Sequence, residues 1–398
     1  MAKPSTVRRA LPGAAGGLLL SLVAACYSSS SGGTGYVTQS VAVADLNGDG
    51  NLDIVGANAA SVPQQSFLSS RIQIGSMQGS FEHPVRTATG LQPVAIAVGD
   101  LNGDGLPDVA VADHMATGAS YFVDVQFQVP GSPGLFSAPL QLSLGGQQPT
   151  DLALADLNGD GKLDVAVAAS GEGALQVFFQ GPGAGVFEPA TSFPVGDEPT
   201  AVAASDLMGS GHLDLVVVTR TGKASVLLHG AVPGTFLSPV AYAAGTSPAG
   251  VQVADMNGDG HPDILVADYA GALLVLLQSS AGDGTFQAAV SYSTQDYGSC
   301  SLAVADLNGD GKPDVAVANA GPSGQPGSLA VFLQDPSTPG VLNPPAIYPG
   351  YWGPLWVVIG DIDADGKPDL VVADGGPYIR YQSPTVPGTF LPPVWLFQ

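Results

Sequence analysis

Residues 45–53 read DLNGDGNLD, with Asp, Asn, Asp and Asp at positions one, three, five and nine and glycine at positions four and six. The pattern returns as DLNGDGLPD from Asp100, DLNGDGKLD from Asp156, DLMGSGHLD from Asp206, DMNGDGHPD from Asp255, DLNGDGKPD from Asp306 and DIDADGKPD from Asp361. Successive first aspartates are 55, 56, 50, 49, 51 and 55 residues apart. Such a period decides the architecture before any single residue does, because each unit is then one copy of the same supersecondary structure.

Each unit reads as four short strands. In the fifth, GVQVADMNGDGHPDILVADYAGALLVLLQSSAGDGTFQAAVSYST from Gly250, apolar residues alternate in the first and last segments. They run almost continuously in the two between, with Gly, Asn and Asp clusters at the joints. The acidic loop joins strands one and two, a short glycine turn joins two and three, and a turn ending in Gly-x-Phe joins three and four. That last turn places Phe81, Phe136, Phe187, Phe236, Phe286 and Phe390, with Leu342 in the sixth unit, at one recurring position. A large apolar residue there can wedge between neighbouring sheets. The sequence therefore predicts an all-β fold over residues 36–398: a seven-bladed β-propeller of four-stranded antiparallel blades. A linear solenoid is the rival architecture, but it requires polar capping units that the ends do not show. Either a strand from Tyr36–Gln39 or the terminal PVWLF could complete the last blade.

Composition agrees with one turn-rich globular array: 54 glycines, 33 prolines and 45% apolar residues. The net charge of -23 is localised, since the seven loops hold 21 of the 34 carboxylates. With 11 Lys and Arg there is no basic stripe for phosphate contacts, which excludes nucleic acid as a partner. Lys3, Arg8 and Arg9 precede an apolar segment from Leu11 to Ala25 and then Cys26. This resembles a bacterial lipoprotein signal: residues 1–25 as signal peptide, a lipidated Cys26, and residues 26–35 as a flexible tether. An ordinary secretory signal is the alternative. With Cys26 lipidated, Cys300 has no disulfide partner and reads as a small core residue.

The stretch PVAIAVGDLNGDGLPDVAVAD, residues 93–113, together with the Gly-x-Phe turns, resembles the FG-GAP or VCBS repeat of integrin-alpha-like propellers. The resemblance implies calcium between the first two strands of each blade. Calcium takes six to eight oxygens and tolerates irregular geometry. In the first loop these come from the side chains of Asp45, Asn47, Asp49 and Asp53 and the carbonyl of Asn51. The matching sets are Asp100, Asn102, Asp104, Leu106 and Asp108; Asp156, Asn158, Asp160, Lys162 and Asp164; and Asp255, Asn257, Asp259, His261 and Asp263. Two more are Asp306, Asn308, Asp310, Lys312 and Asp314, and Asp361, Asp363, Asp365, Lys367 and Asp369. An EF-hand is excluded, because position twelve holds Gly56 or a valine rather than glutamate. In the fourth loop Met208 and Ser210 replace ligands, so weak binding or none is expected there, leaving about six sites. Near-identical sites repeated around a ring point to a structural staple rather than a catalytic metal; acidic turns without metal are the alternative.

His83, His114, His212, His229 and His261 share no motif, and neither GxSxG nor HExxH occurs. No enzyme is expected. One departure from the repeat, YPGYWGPLW from Tyr348 and GGPYIRYQSP from Gly375, gathers Tyr351, Trp352, Trp356, Tyr378 and Arg380 as a candidate ligand surface, or as packing between blades. The sequence thus predicts a monomeric, calcium-stabilised, non-enzymatic propeller, exported and held to the bacterial envelope by lipid alone, serving protein or glycan recognition and adhesion. A lyase-like polysaccharide enzyme and an envelope-complex scaffold are the alternatives.

Overall fold

The computed structural model describes residues 36–396 apart from 61–64, 75–78, 118–119, 172, 323–324 and 351. The leader, Cys26, the tether and Tyr351 lie outside the described residues. Twenty-eight strands form seven four-stranded antiparallel sheets, each from four consecutive strands, and no α-helix occurs among the described residues. The first strand of every blade packs beside that of the next, and the series closes into a ring.

Burial falls from the axis outwards. In blade 5 the second strand, Asp263–Asp268, is wholly buried, whereas the fourth, Val290–Ser293, is mostly exposed. Inner strands are covered on both faces and so carry near-continuous apolar runs; the outer strand meets water and alternates. A single sheet has no inside, so the core lies between blades. Leu46, Val55 and Leu68 of blade 1 meet Ile96, Val109 and Phe136 of blade 2, and Ala166 and Val177 of blade 3 meet Val202 and Leu215 of blade 4. Each fully buried Val or Leu stabilises the ring by about 1.5–3 kcal/mol.

The Gly-x-Phe turn fits two things at once. Its ring packs on the outer strand of the preceding blade, as in Phe236 against Phe193 (5.1 Å), Phe286 against Tyr242 (5.4 Å) and Phe390 against Tyr348 (5.8 Å). Its glycine adopts the left-handed backbone, with φ of 63° at Gly185, and a Cβ there would lie 2.5 Å from the Phe127 ring of the blade before. Only glycine meets both demands.

Blade 7 is built from Trp356–Gly360, Asp369–Asp374, Gly376–Arg380 and Val394–Trp395, so the chain's own end supplies its outer strand. Tyr36–Ala44 is the inner strand of blade 1 and packs against the first two strands of blade 7 without joining their sheet. Side chains complete the closure: Gln73 Nε2 donates to Ile362 O (2.5 Å) and the Tyr381 hydroxyl donates to Gly79 O (3.0 Å). Cys300 is buried beside Leu355, as a core residue should be. It is not a free thiol, which corrects the expectation that it has no disulfide partner. The chain's other cysteine, Cys26, lies outside the described residues.

Candidate functional site

The seven acidic loops share one face of the ring with the Gly-x-Phe turns, because both connect strand ends of the same polarity. Their outer positions fold onto their own backbone. Asp45 Oδ1 accepts from Gly48 N (2.7 Å) and Asp49 N (3.1 Å), and its Oδ2 accepts from Gly50 N (2.8 Å). Asn47 Oδ1 accepts from Asp49 N and Asp49 Oδ1 from Asn51 N, both at 2.8 Å. Gly48 and Gly50, at φ of 77° and 87°, permit the tight winding. The same bonds recur in the other loops, where the position-seven residues Leu106, Lys162, His261, Lys312 and Lys367 donate their N–H to the aspartate at position five. Two lysines double back: Lys162 Nζ lies 3.9 Å from Asp160 and Lys367 Nζ 2.7 Å from Asp365.

Position nine behaves differently. It is the first residue of the second strand, is buried, and has both oxygens engaged by backbone N–H groups. Asp53 Oδ2 accepts from Leu46 N (2.8 Å) and Oδ1 from Gln73 N (2.7 Å). Asp314 Oδ2 accepts from Leu307 N (2.9 Å) and Oδ1 from Gln334 N (2.7 Å). Asp108, Asp164, Asp263 and Asp369 repeat this pair of bonds. So does Asp214 in the fourth loop, where Asp206 still caps Ser210 N (2.9 Å) and Gly211 N (2.7 Å). A loop lacking two of the proposed ligands keeps the shape, so the aspartate clip acts apart from any ion.

Burial first, and the neighbouring carboxylates at positions one and five in addition, push Asp53, Asp108, Asp164, Asp263 and Asp314 up to about 6. Asp369 is pushed up to about 7, burial again leading and Asp363 and Asp365 adding to it. Blade 7 gathers the carboxylates most closely: oxygens of Asp361, Asp363 and Asp369 lie within 4.8 Å of one another, and Asp361 Oδ1 is buried without a hydrogen-bond partner. An all-oxygen set with an orphaned buried oxygen fits a hard divalent cation.

Two recurring features escaped the sequence reading. Six blades carry a glutamine two residues beyond the third strand, visible as the Q after each apolar run. Five of these reach the preceding blade, donating Nε2 to the carbonyl at its loop position two: Gln73 to Ile362, Gln128 to Leu46 (3.1 Å), Gln180 to Leu101 (2.7 Å), Gln334 to Met256 (2.8 Å) and Gln382 to Leu307 (2.8 Å). Five residues beyond position nine, a second buried polar group pins the chain entering each of several blades. Asn58 accepts from the Thr38 hydroxyl (2.7 Å), and Asp374 from Trp352 N (2.9 Å) and Gly353 N (2.8 Å).

The candidate ligand surface does not assemble. Trp356, Tyr378 and Arg380 are 2%, 0% and 4% exposed. Arg380 donates to Pro349 O (2.8 Å) and Leu391 O (3.2 Å), with its guanidinium 5.4 Å from the Tyr348 ring centre. Tyr378 packs edge-on against Trp395 at 4.9 Å. Tyr378 and Arg380 lie on the third strand of blade 7, beside an outer strand only two residues long, whereas Trp356 begins the inner strand and is buried in the core. Trp352 alone of the described four is at the surface, on the opposite face from the loops.

The fold and its loops define a seven-bladed repeat propeller carrying one acidic loop per blade. The FG-GAP-like repeat family matches residues 156–217, 206–266, 255–317 and 306–372, and the FG-GAP repeat matches 93–123. The chain belongs to the FG-GAP repeat proteins. No curated protein matches it. Among solved structures, the BP39L lectin of Burkholderia pseudomallei is similar at 20% identity and a TM-score of 0.64, over 90% of this chain and 100% of the lectin. The N-terminal part of BBS1, solved with ARL6, is similar at 15% identity and TM-score 0.56, over 89% and 94% of the two chains. A 6-phosphogluconolactonase candidate from Bacteroides uniformis follows at 14% and 0.58, over 89% and 93%. At these identities the likeness is one of fold.

Proposed function

We propose that the protein is a calcium-stabilised, non-enzymatic recognition propeller of a bacterial cell envelope, binding glycans on its loop face. The observation that carries the reading is a cleft repeated between blades on that face. Between blades 2 and 3 a cleft of about 470 Å³ is lined by Asn102, Asp104, Phe127, Gln128 and Ala184. Between blades 3 and 4 its counterpart, about 370 Å³, is lined by Asn158, Asp160, Phe179, Gln180 and Gly234. An aromatic ring beside an amide and a carboxylate suits a sugar, whose C–H face stacks while its hydroxyls pair with the polar groups. The lectin of like fold supports this direction. Repetition of one geometry also argues against catalysis, which needs a single asymmetric constellation.

The loop aspartates, the carbonyls at position seven and the clip at position nine are the residues that would hold calcium. The ion would supply positive charge to loops that otherwise repel. Retention on a panel of immobilised saccharides, in calcium and in chelator, tests the reading. Calcium-dependent retention lost in Phe127→Ala and Phe179→Ala supports it; failure to retain any saccharide while a protein ligand is captured returns the face to protein recognition.

A further inference from the structure

Blade 4 departs from its neighbours in a coordinated way. Its loop has lost the amide oxygen of position three and the carboxylate of position five, replaced by Met208 and Ser210. Where the other six blades carry a glutamine, five of them stitching, it carries His229, and position seven is His212. The two imidazoles lie together, ring centres 5.0 Å apart and tilted by 43°. His229 Nδ1 is 2.7 Å from Asp214 Oδ1, and Asp214 is completely buried. As a carboxylate can only accept, His229 Nδ1 carries a proton, and in the neutral imidazole Nε2 offers the lone pair. The His229 side chain is 24% exposed, so solvent can reach it. His212 leans toward blade 3: a Cβ on Gly159 would lie 3.9 Å from its Nδ1.

We infer that blade 4 carries a site for a borderline divalent transition metal of the zinc class, with Nε2 of His229 and a ring nitrogen of His212 as ligands and Asp214 as the orienting group. Two imidazoles on one tetrahedral ion, with Zn–N bonds of about 2.0–2.1 Å, hold their ring centres about 5 Å apart. A carboxylate on the far nitrogen of a histidine is the usual means of fixing a ligand's tautomer and direction. Nitrogen donors favour zinc, copper or nickel over calcium, so this blade selects a different ion from the other loops. Water would complete the coordination, leaving positions open to a ligand.

The test is calorimetric titration of the untagged full chain with Zn²⁺ in saturating Ca²⁺, alongside His229→Gln and His212→Lys. Glutamine is the residue other blades hold at the first position and lysine that of three blades at the second, so both variants should fold, as a melt checks. One zinc per chain is expected, with affinity lowered more than about tenfold in each variant. Cu²⁺ loading should give an electron paramagnetic resonance spectrum showing two nitrogen ligands. No zinc binding, or equal binding in wild type and both variants, overturns the assignment.

Discussion

Replacing Asp314 with alanine removes the carboxylate that accepts from Leu307 N at 2.9 Å and Gln334 N at 2.7 Å, at a side chain with 0% exposure. Two buried N–H groups left unpaired cost about 1–3 kcal/mol each, so about 2–6 kcal/mol together. Against this stands the burial of charge. A carboxyl raised from 3.8 to about 6 is destabilising by about 3 kcal/mol at pH 7.5, which alanine relieves. At pH 5 the group is neutral in the folded chain and about half of that relief disappears. In chelator, Asp314→Ala should therefore lower the unfolding free energy by several kcal/mol at pH 5 and by clearly less at pH 7.5. Urea titrations at both pH values, with hydrogen exchange of the Leu307 and Gln334 amides, measure this. If position nine served only as a metal ligand, the substitution would be silent in chelator at both pH values and would simply subtract one bound Ca²⁺. That result would refute the clip. The half-buried Asp306→Asn, which keeps a capping oxygen for Gly309 N (2.7 Å) and gives up only the bond from Gly311 N (2.8 Å), should cost about 1 kcal/mol in chelator and lose one ion.

The wild-type chain in chelator should melt higher at pH 5 than at pH 7.5. The position-nine carboxyls, raised to about 6 or 7, hold protons in the fold that the unfolded chain has released, so stability falls as pH rises through that window. Calcium should shrink or reverse the difference, and a flat profile without calcium would contradict it. Gly161→Ala, at φ 85° with no atom within 4 Å, should cost only the backbone strain of about 1–2 kcal/mol. Gly185→Ala must also displace the Phe127 ring, so its melting point should fall further; equal losses would disprove the close fit. Trp356→Ala should cost about 3–5 kcal/mol as a core truncation. Trp352→Ala should cost under about 1 kcal/mol, and denaturant titration of the pair checks the assignment of one to the core and the other to the surface.

What the sequence disclosed was whatever a single unit spells locally. The period, the four strands and the wedge at Phe236 or Phe286 follow from spacing and alternation within some fifty residues, and the structure has them where they were predicted. The dual character of Asp53 was hidden because the spacing that suits a ligand also suits a clip, and only its bonds to Leu46 N and Gln73 N separate the two. Gln73 carries no local signal, since its amide partner, Ile362 O, is 289 positions away. Trp356, Tyr378 and Arg380 stood out because their contrast with other blades is visible in sequence, whereas the places that bury them, an inner-strand start for the first and a third strand beside a two-residue outer strand for the others, are not.

Every blade is a contiguous stretch of chain, and none lends a strand to its neighbour. At the level of the gene, one blade is thus a single cassette, which unequal recombination could copy or delete in frame without splitting any hydrogen-bonded sheet. The stitch between blades favours such exchange, because each glutamine finds a main-chain carbonyl rather than a particular side chain, as Gln180 does at Leu101 and Gln382 at Leu307. A transplanted unit would bring its own donor and its own acceptor. The number of blades then becomes a matter of how many wedges close a circle, and individual copies are left at liberty to drift, as the fourth has drifted toward histidine.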